Sequence, residues 1–191
     1  MLRSTFLAVS VFASSTLALV YGVDSSTLVS EATYAKAKSE GFTKAIIRGY
    51  EEACGVGGQV DPNFVPSYNN ARAAGITNID TYWFPCTGST HSCKPYATQI
   101  AEIGATFNAH SMKIGKIWID IEKDSACNNV RFNHFVQNVL TNETFFQWDY
   151  GSAGNLAEAN KIISAIKTSG YNFGIYSSPG VNLFALSSNA H

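Results

Sequence analysis

The chain has 191 residues, of which 46% are hydrophobic and 13% aromatic, and a formal net charge of −1. That length and apolar content suit one globular domain with a sizeable core. A charge balance so near neutrality gives no reason to expect nucleic acid as a partner.

The amino terminus reads as a targeting segment rather than as part of the fold. In MLRSTFLAVSVFASSTLALVYG, Arg3 precedes an apolar stretch from Phe6 to Val11, and Thr16 and Ala18 sit like the minus-three and minus-one positions of a cleavage site. Ser10, Ser14, Ser15 and Thr16 interrupt the run, whereas a membrane span needs about 20 continuous apolar residues. The expectation is a secretory signal peptide over 1–18 and a mature product that is extracellular, or phagosomal and lysosomal by the secretory route, with no membrane attachment. Secretion in turn predicts disulfides for the cysteines. Cys86 and Cys93 are near enough to pin a loop, which leaves Cys54 and Cys127 for each other. The competing zinc reading lacks a C-x-x-C, and His91, His110, His134 and His191 have no metal-ligand spacing. No cofactor is expected.

After the signal, short apolar runs alternate with longer helical patterns. The run YGVD predicts a first strand, and LVSEATYAKAKSEGF a helix stopped at Gly41. KAIIRGYE is a β-branched second strand. In NFVPSYNNARAAGI, Phe64, Tyr68, Ala71 and Ala74 recur at helical spacing before Gly75. NIDTYWFP, PYATQIAEIGATFNAHS and KIGKIWIDIE predict a strand, a helix and a fourth strand; NLAEANKIISAIKTSGY and NFGIYSS add a helix and a fifth strand. Strict alternation predicts an α/β fold of parallel strands with right-handed crossovers. With no G-x-G-x-x-G after the first strand and no P-loop, a TIM-like (β/α) barrel is favoured over a nucleotide-binding open sheet.

Barrels of that type place functional residues at the carboxyl ends of their strands. Here those ends carry Asp24, then Arg48 with Tyr50 and Glu51 beyond, then Tyr82 and Phe84, then Asp120 and Glu122, and last Tyr176. Acids and aromatics on one rim suit a carbohydrate site, with Arg48, Tyr82, Phe84 and Tyr176 as the substrate-binding candidates. Trp118 shares the parity of Asp120 and is expected to lie deeper. Strand alternation puts Asp120 and Glu122 side by side on one face. An isolated D-x-E is as readily a solvated loop, but Asp24 at the first strand adds a third acid facing the same cavity. Mutual repulsion is then expected to raise the pKa of at least one, the condition for an acid that donates a proton near neutrality. Glu122, with the longer side chain, is the preferred donor, and Asp24 and Asp120 the assisting carboxylates.

The segments YGVDSST, AIIRGYE, SYNNARAAGI with DTYWFPC, IWIDIE and GYNFGIYSSPG resemble, in order, the lysozymes of glycoside hydrolase family 25. The resemblance implies a monomeric barrel-like muramidase that cuts peptidoglycan between N-acetylmuramic acid and N-acetylglucosamine, with Glu122 as donor and Asp24 and Asp120 assisting. Chitinase-like barrels with D-x-D-x-E are disfavoured, because Trp118 stands where the first acid would be. Two alternatives come from other classes: a lysozyme-like glycan-binding protein with weak or no turnover, and a metal-dependent hydrolase built on the three acids.

Two segments depart from the family pattern. Removing VRFNHFVQNVLTNETFFQ, residues 130–147, joins SACNN to WDYGSAGN and restores a family-like loop; the only sequon, at Asn142, lies within it. The tail 181–191 has no β-α character, where the family continues into later strands and a further acid. Val130-Arg131 and Val181-Asn182 can each be encoded as splice-donor sequences, and Phe145 to Gln147 as an acceptor, so both segments are expected to be retained introns. The barrel is then expected to be incomplete at its carboxyl end, to fold poorly and to have little activity, since unpaired edges favour aggregation.

Overall fold

The computed structural model describes residues 20–88, 92–122 and 151–177. Residues 1–18, expected to be a signal peptide, the segment 130–147 with its sequon, the tail 181–191 and Cys127 lie outside the described residues.

The elements follow the alternation of patterns in the sequence: β1 (Gly22–Ser25), α1 (Glu31–Ser39), β2 (Lys44–Glu51), β3 (Gln59–Val60), α2 (Phe64–Ala73), β4 (Asn78–Trp83), α3 (Tyr96–Ala109), β5 (Ile117–Ile121), α4 (Gly151–Ser169) and β6 (Phe173–Ser177). Local chemistry sets the helix ends. Ser30 caps α1 by accepting from the Thr33 N–H at 3.2 Å, with Glu31 in the first turn and Lys36 and Lys38 in the last, each opposing the helix dipole. At the end of α2, Gly75 takes φ +79°, which lets the Ile76 N–H return to the Ala71 carbonyl at 2.9 Å. The two-residue β3 was not expected; it pairs antiparallel with the end of β2, Tyr50 to Val60 and Glu51 to Gln59. A strand of two residues is too short to leave a periodic signal.

The parallel strands lie in the order β1-β2-β4-β5-β6, with β3 outside this path. A doubly wound sheet reverses its order at a switch point, whereas this order never reverses. Right-handed crossovers in one direction put every helix on the same side. Accordingly, α1 to α4 contribute Tyr34, Phe64, Ala71, Ile100, Ile103, Ile162 and Ile166 to one continuous core. The winding is compatible with a TIM-like fold, and among the described residues β1 pairs with β2 alone and β6 with β5 alone.

Strand parity divides the sheet. On the helix side, Ala45, Ile47, Ile79, Thr81, Trp83, Ile117, Ile119 and Ile121 are at most 2% exposed. The opposite face runs through Asp24↔Ile46↔Asp80, then Arg48↔Tyr82↔Trp118↔Gly174, then Asp120↔Tyr176. That second face is polar and aromatic, and it holds the site.

One irregularity changes which residues belong to it. The register of β2 against β4 shifts between Arg48 and Tyr50, so that Tyr50 pairs with Trp83. A bulge at Gly49 therefore turns Tyr50 off the rim, where simple alternation had put it, and into the core. There Tyr50 is fully buried and donates to Glu102 Oε2 of α3 at 2.9 Å. Gly49 is required because the Thr81 hydroxyl occupies the space of a Cβ, with the Phe64 ring packed beside it.

The β4–α3 connection is fixed by a buried amide. Gln99 accepts from the Trp83 indole at 3.1 Å and from the Cys86 N–H at 3.0 Å, and donates to the Cys86 and Lys94 carbonyls at 3.0 and 2.8 Å. All four capacities of the amide are used. The expected Cys86–Cys93 disulfide closes the same loop, and Cys54 is also disulfide-bonded. No described helix is long and apolar enough to cross a membrane.

Candidate active site

The site is built on the polar face at the carboxyl ends of the strands. Asp120, in the last turn of the pleat of β5, is only 9% exposed, and its Oδ1 is buried with no hydrogen-bond partner among the described residues. Its pKa is pushed up to about 7. Burial is the largest cause, followed by the charges of Glu122 and Asp24, with Arg48 pulling the other way. Asp24, on β1, is raised as well, again chiefly by burial, against a backbone hydrogen bond donated by Ser25. Repulsion among the acids is thus real but second to desolvation.

Glu122 lies one residue beyond β5, half-buried, with the parity of Asp120. Its charge is the first cause of the raised pKa of Tyr176, which stands 50% exposed on β6 beside Asp120. Tyr82, on β4, is raised by burial first and then by Asp24, with Arg48 and a hydrogen bond from Ser26 opposing and Asp120 adding. Asp120 is therefore within electrostatic reach of Asp24 and Glu122, Asp24 and Asp120 are within reach of Tyr82, and all three acids are within reach of Tyr176. Both phenols keep their protons at neutral pH and remain hydrogen-bond donors.

Arg48 shares this face and is held by two carboxylates that do not belong to the trio. Its Nε donates to Asp61 Oδ2 at 2.5 Å and its Nη2 to Glu51 Oε2 at 3.0 Å, while Gln59 Nε2 donates to Glu51 Oε1 at 2.6 Å. Phe84, one residue past β4, is half-buried and its N–H donates to the Tyr50 carbonyl at 3.1 Å. One step down the strands, the Trp118 indole donates to Asp80 Oδ2 at 2.9 Å, and the same oxygen pairs with Lys44 Nζ at 2.8 Å. Trp118 also lies across Gly174 and under the Lys116 ammonium, 4.5 Å from the ring centroid. It forms the floor below the carboxylates, as its parity predicted.

The Asp61 and Glu51 clamp and the Asp80–Lys44 floor were not anticipated from sequence. Asp61 precedes Pro62 in what reads as an ordinary turn, and only the β2–β3 pairing brings it to Arg48. Parity along NIDTYW does place Asp80 on the face of Tyr82, a signal that was there to use. Among the described residues no three or more His, Cys, Asp or Glu come together in a metal-holding group.

A singly wound α/β sheet with clustered, partly desolvated carboxylates flanked by tyrosines suits carbohydrate chemistry. Comparison with known proteins agrees. A family model described as lysozyme-like protein 1 matches residues 15–145. Lysozyme-like protein 5 of Caenorhabditis elegans is 31% identical over 92% of this chain and 69% of its own length. Probable GH family 25 lysozymes 2 and 4 of Dictyostelium discoideum are 29% and 30% identical, over 85% and 82% of this chain and 62% and 60% of theirs. No solved structure matches significantly. The chain belongs to the lysozyme family of glycoside hydrolase family 25 type, and it spans roughly two thirds of the length of these relatives.

Proposed function

We propose that the protein is a secreted muramidase, hydrolysing the β-1,4 bond between N-acetylmuramic acid and N-acetylglucosamine in bacterial peptidoglycan. The observation that supports this reading best is the carboxylate trio. Asp24, Asp120 and Glu122 share one sheet face, and one of them, Asp120, keeps its proton up to about pH 7.

In this reading Glu122, at the open end of β5, delivers the proton to the glycosidic oxygen. Asp120 is the reserve from which that proton is drawn, since its carboxyl is the one that desolvation holds protonated toward neutrality. Once charged, Asp24 and Asp120 steady the oxocarbenium-like centre, orient the attacking water or hold the acetamido group. Tyr82 donates a hydrogen bond, and the exposed ring of Tyr176 offers a flat face to a sugar.

Glu122→Gln tests the assignment. General acid catalysis contributes about 10² to 10⁴ in rate, so lysis of bacterial cell walls should fall by at least about 100-fold while peptidoglycan binding changes little. Unchanged lysis would remove Glu122 from the donor position. Binding without lysis in the unsubstituted chain would favour a glycan-binding protein.

A further inference from the structure

The Arg48 guanidinium is the one cation whose charge acts on Asp120 among the causes of its perturbed pKa. An unrestrained arginine beside three carboxylates would close onto them in a bidentate pair. Here its Nε and Nη2 donate instead to Asp61 and Glu51, neither of which belongs to the trio.

Asp61 is well placed for this restraint. Its side chain is 1% exposed, and while Oδ2 accepts from Arg48, Oδ1 accepts from the Asn63 N–H at 2.7 Å. Its own N–H donates to the Gly49 carbonyl at 3.1 Å, and its carbonyl accepts from the Phe64 N–H at 3.0 Å. Asp61 is thus locked between the β2 bulge and the start of α2. Glu51 is steadied in turn by Gln59 of β3 at 2.6 Å. The short β3, which adds little to the sheet, brings this clamp into place.

The geometry points to Asp61 as a positioning residue: it tethers the Arg48 guanidinium to the β3–α2 junction and keeps it from closing into an ion pair with Asp120 and Glu122. The tether rests on geometry alone, and its relevance to glycan cleavage rests on the muramidase reading above. Without it the donor carboxylates would be held as permanent anions by a paired arginine.

Every charged or titratable group known to act on Asp120 or Arg48 enters the expected outcome: Glu122 on the same strand, Asp24 on β1, Arg48 on β2, Tyr82 on β4, Tyr176 on β6, and Asp61 and Glu51 behind Arg48. Asp61→Asn removes an anion and frees the cation toward the trio, and both changes favour the charged form of Asp120. Arg48→Met removes the cation and disfavours that form. The Asp120 carboxyl, followed by carbon-13 NMR through a pH titration of the full chain, is therefore expected to titrate lower in Asp61→Asn and higher in Arg48→Met. Each shift should be on the order of one unit.

Loss of an anion's field alone would also lower Asp120, so the tether is read from Asp61→Asn made in the Arg48→Met background: there the downward shift should disappear, and a shift that persists would overturn the proposal. Shifts in the same direction, or none in either variant, would overturn the proposal. Should Asp61→Asn fail to fold, Glu51→Gln takes its place, with the same downward shift expected and an upward or absent one contradicting the tether. Because the readout is a titration, its failure is distinct from a failure of the muramidase reading, which the lysis assay of Glu122→Gln decides.

Discussion

Asp120 is placed where a carboxylate is costly. Its carboxyl is pushed up to about 7, well above the usual carboxylate range of about 4, mainly because it is buried. A folded-state pKa above the unfolded one means that the native state binds more protons between those values. The associated stability is fully present below about pH 4 and is lost as the pH rises through 7. Replacing Asp120 by Asn removes the titration but keeps the size. Asp120→Asn should therefore be more stable than the parent by an amount on the order of a few kcal/mol at pH 8, with the gap closing toward pH 4, as denaturant unfolding at the two pH values would measure. Equal stability differences at both values would show that burial does not tune this group. The identity of these acids was legible in the sequence, because D-x-E on a strand fixes both side chains to one face. Their relative pKa values were not, since burial depends on packing that no local pattern encodes.

At the scale of elements, β2 shows where a two-residue period fails. Alternation through KAIIRGYE would carry Tyr50 onto the face of Arg48, and the bulge at Gly49 carries it to the other side. The glycine was visible, but the reason for it lies in Thr81, 32 residues further on in the chain. Gly49→Ala should cost roughly 1–3 kcal/mol through overpacking, read from the denaturation midpoint. Adding Thr81→Ala removes the hydroxyl that the new methyl would meet, so the two losses should be clearly less than additive. Strict additivity would place the strain elsewhere. Helices were easier to read: Gly41 and Gly75 mark their ends in sequence and in structure alike.

For the molecule as a whole, the sheet separates stability from chemistry. One face holds the core shared by all four helices, and the other holds the carboxylates, the tyrosines and Arg48. Ile119 and Tyr176 illustrate the division, since Ile119 is fully buried and Tyr176 half exposed. Ile119→Ala should destabilise by about 2–5 kcal/mol. Tyr176→Ala should leave stability within about 0.5 kcal/mol, as exposed positions do, while cell-wall lysis drops several-fold through loss of a sugar-facing ring. The order of strands and the polarity of the two faces followed from the alternation of β and α patterns. The antiparallel β3 and the clamp on Arg48 arise from contacts between loops, which carry no period.

The central claim is cleavage at the muramic acid side by the trio on this face. It is tested most directly by mass spectrometry of borohydride-reduced fragments from peptidoglycan digested with the full chain and with its Glu122→Gln variant. The account predicts fragments ending in reduced N-acetylmuramic acid from the parent and essentially none from the variant. Fragments ending in reduced N-acetylglucosamine, or equal release by both proteins, would contradict it.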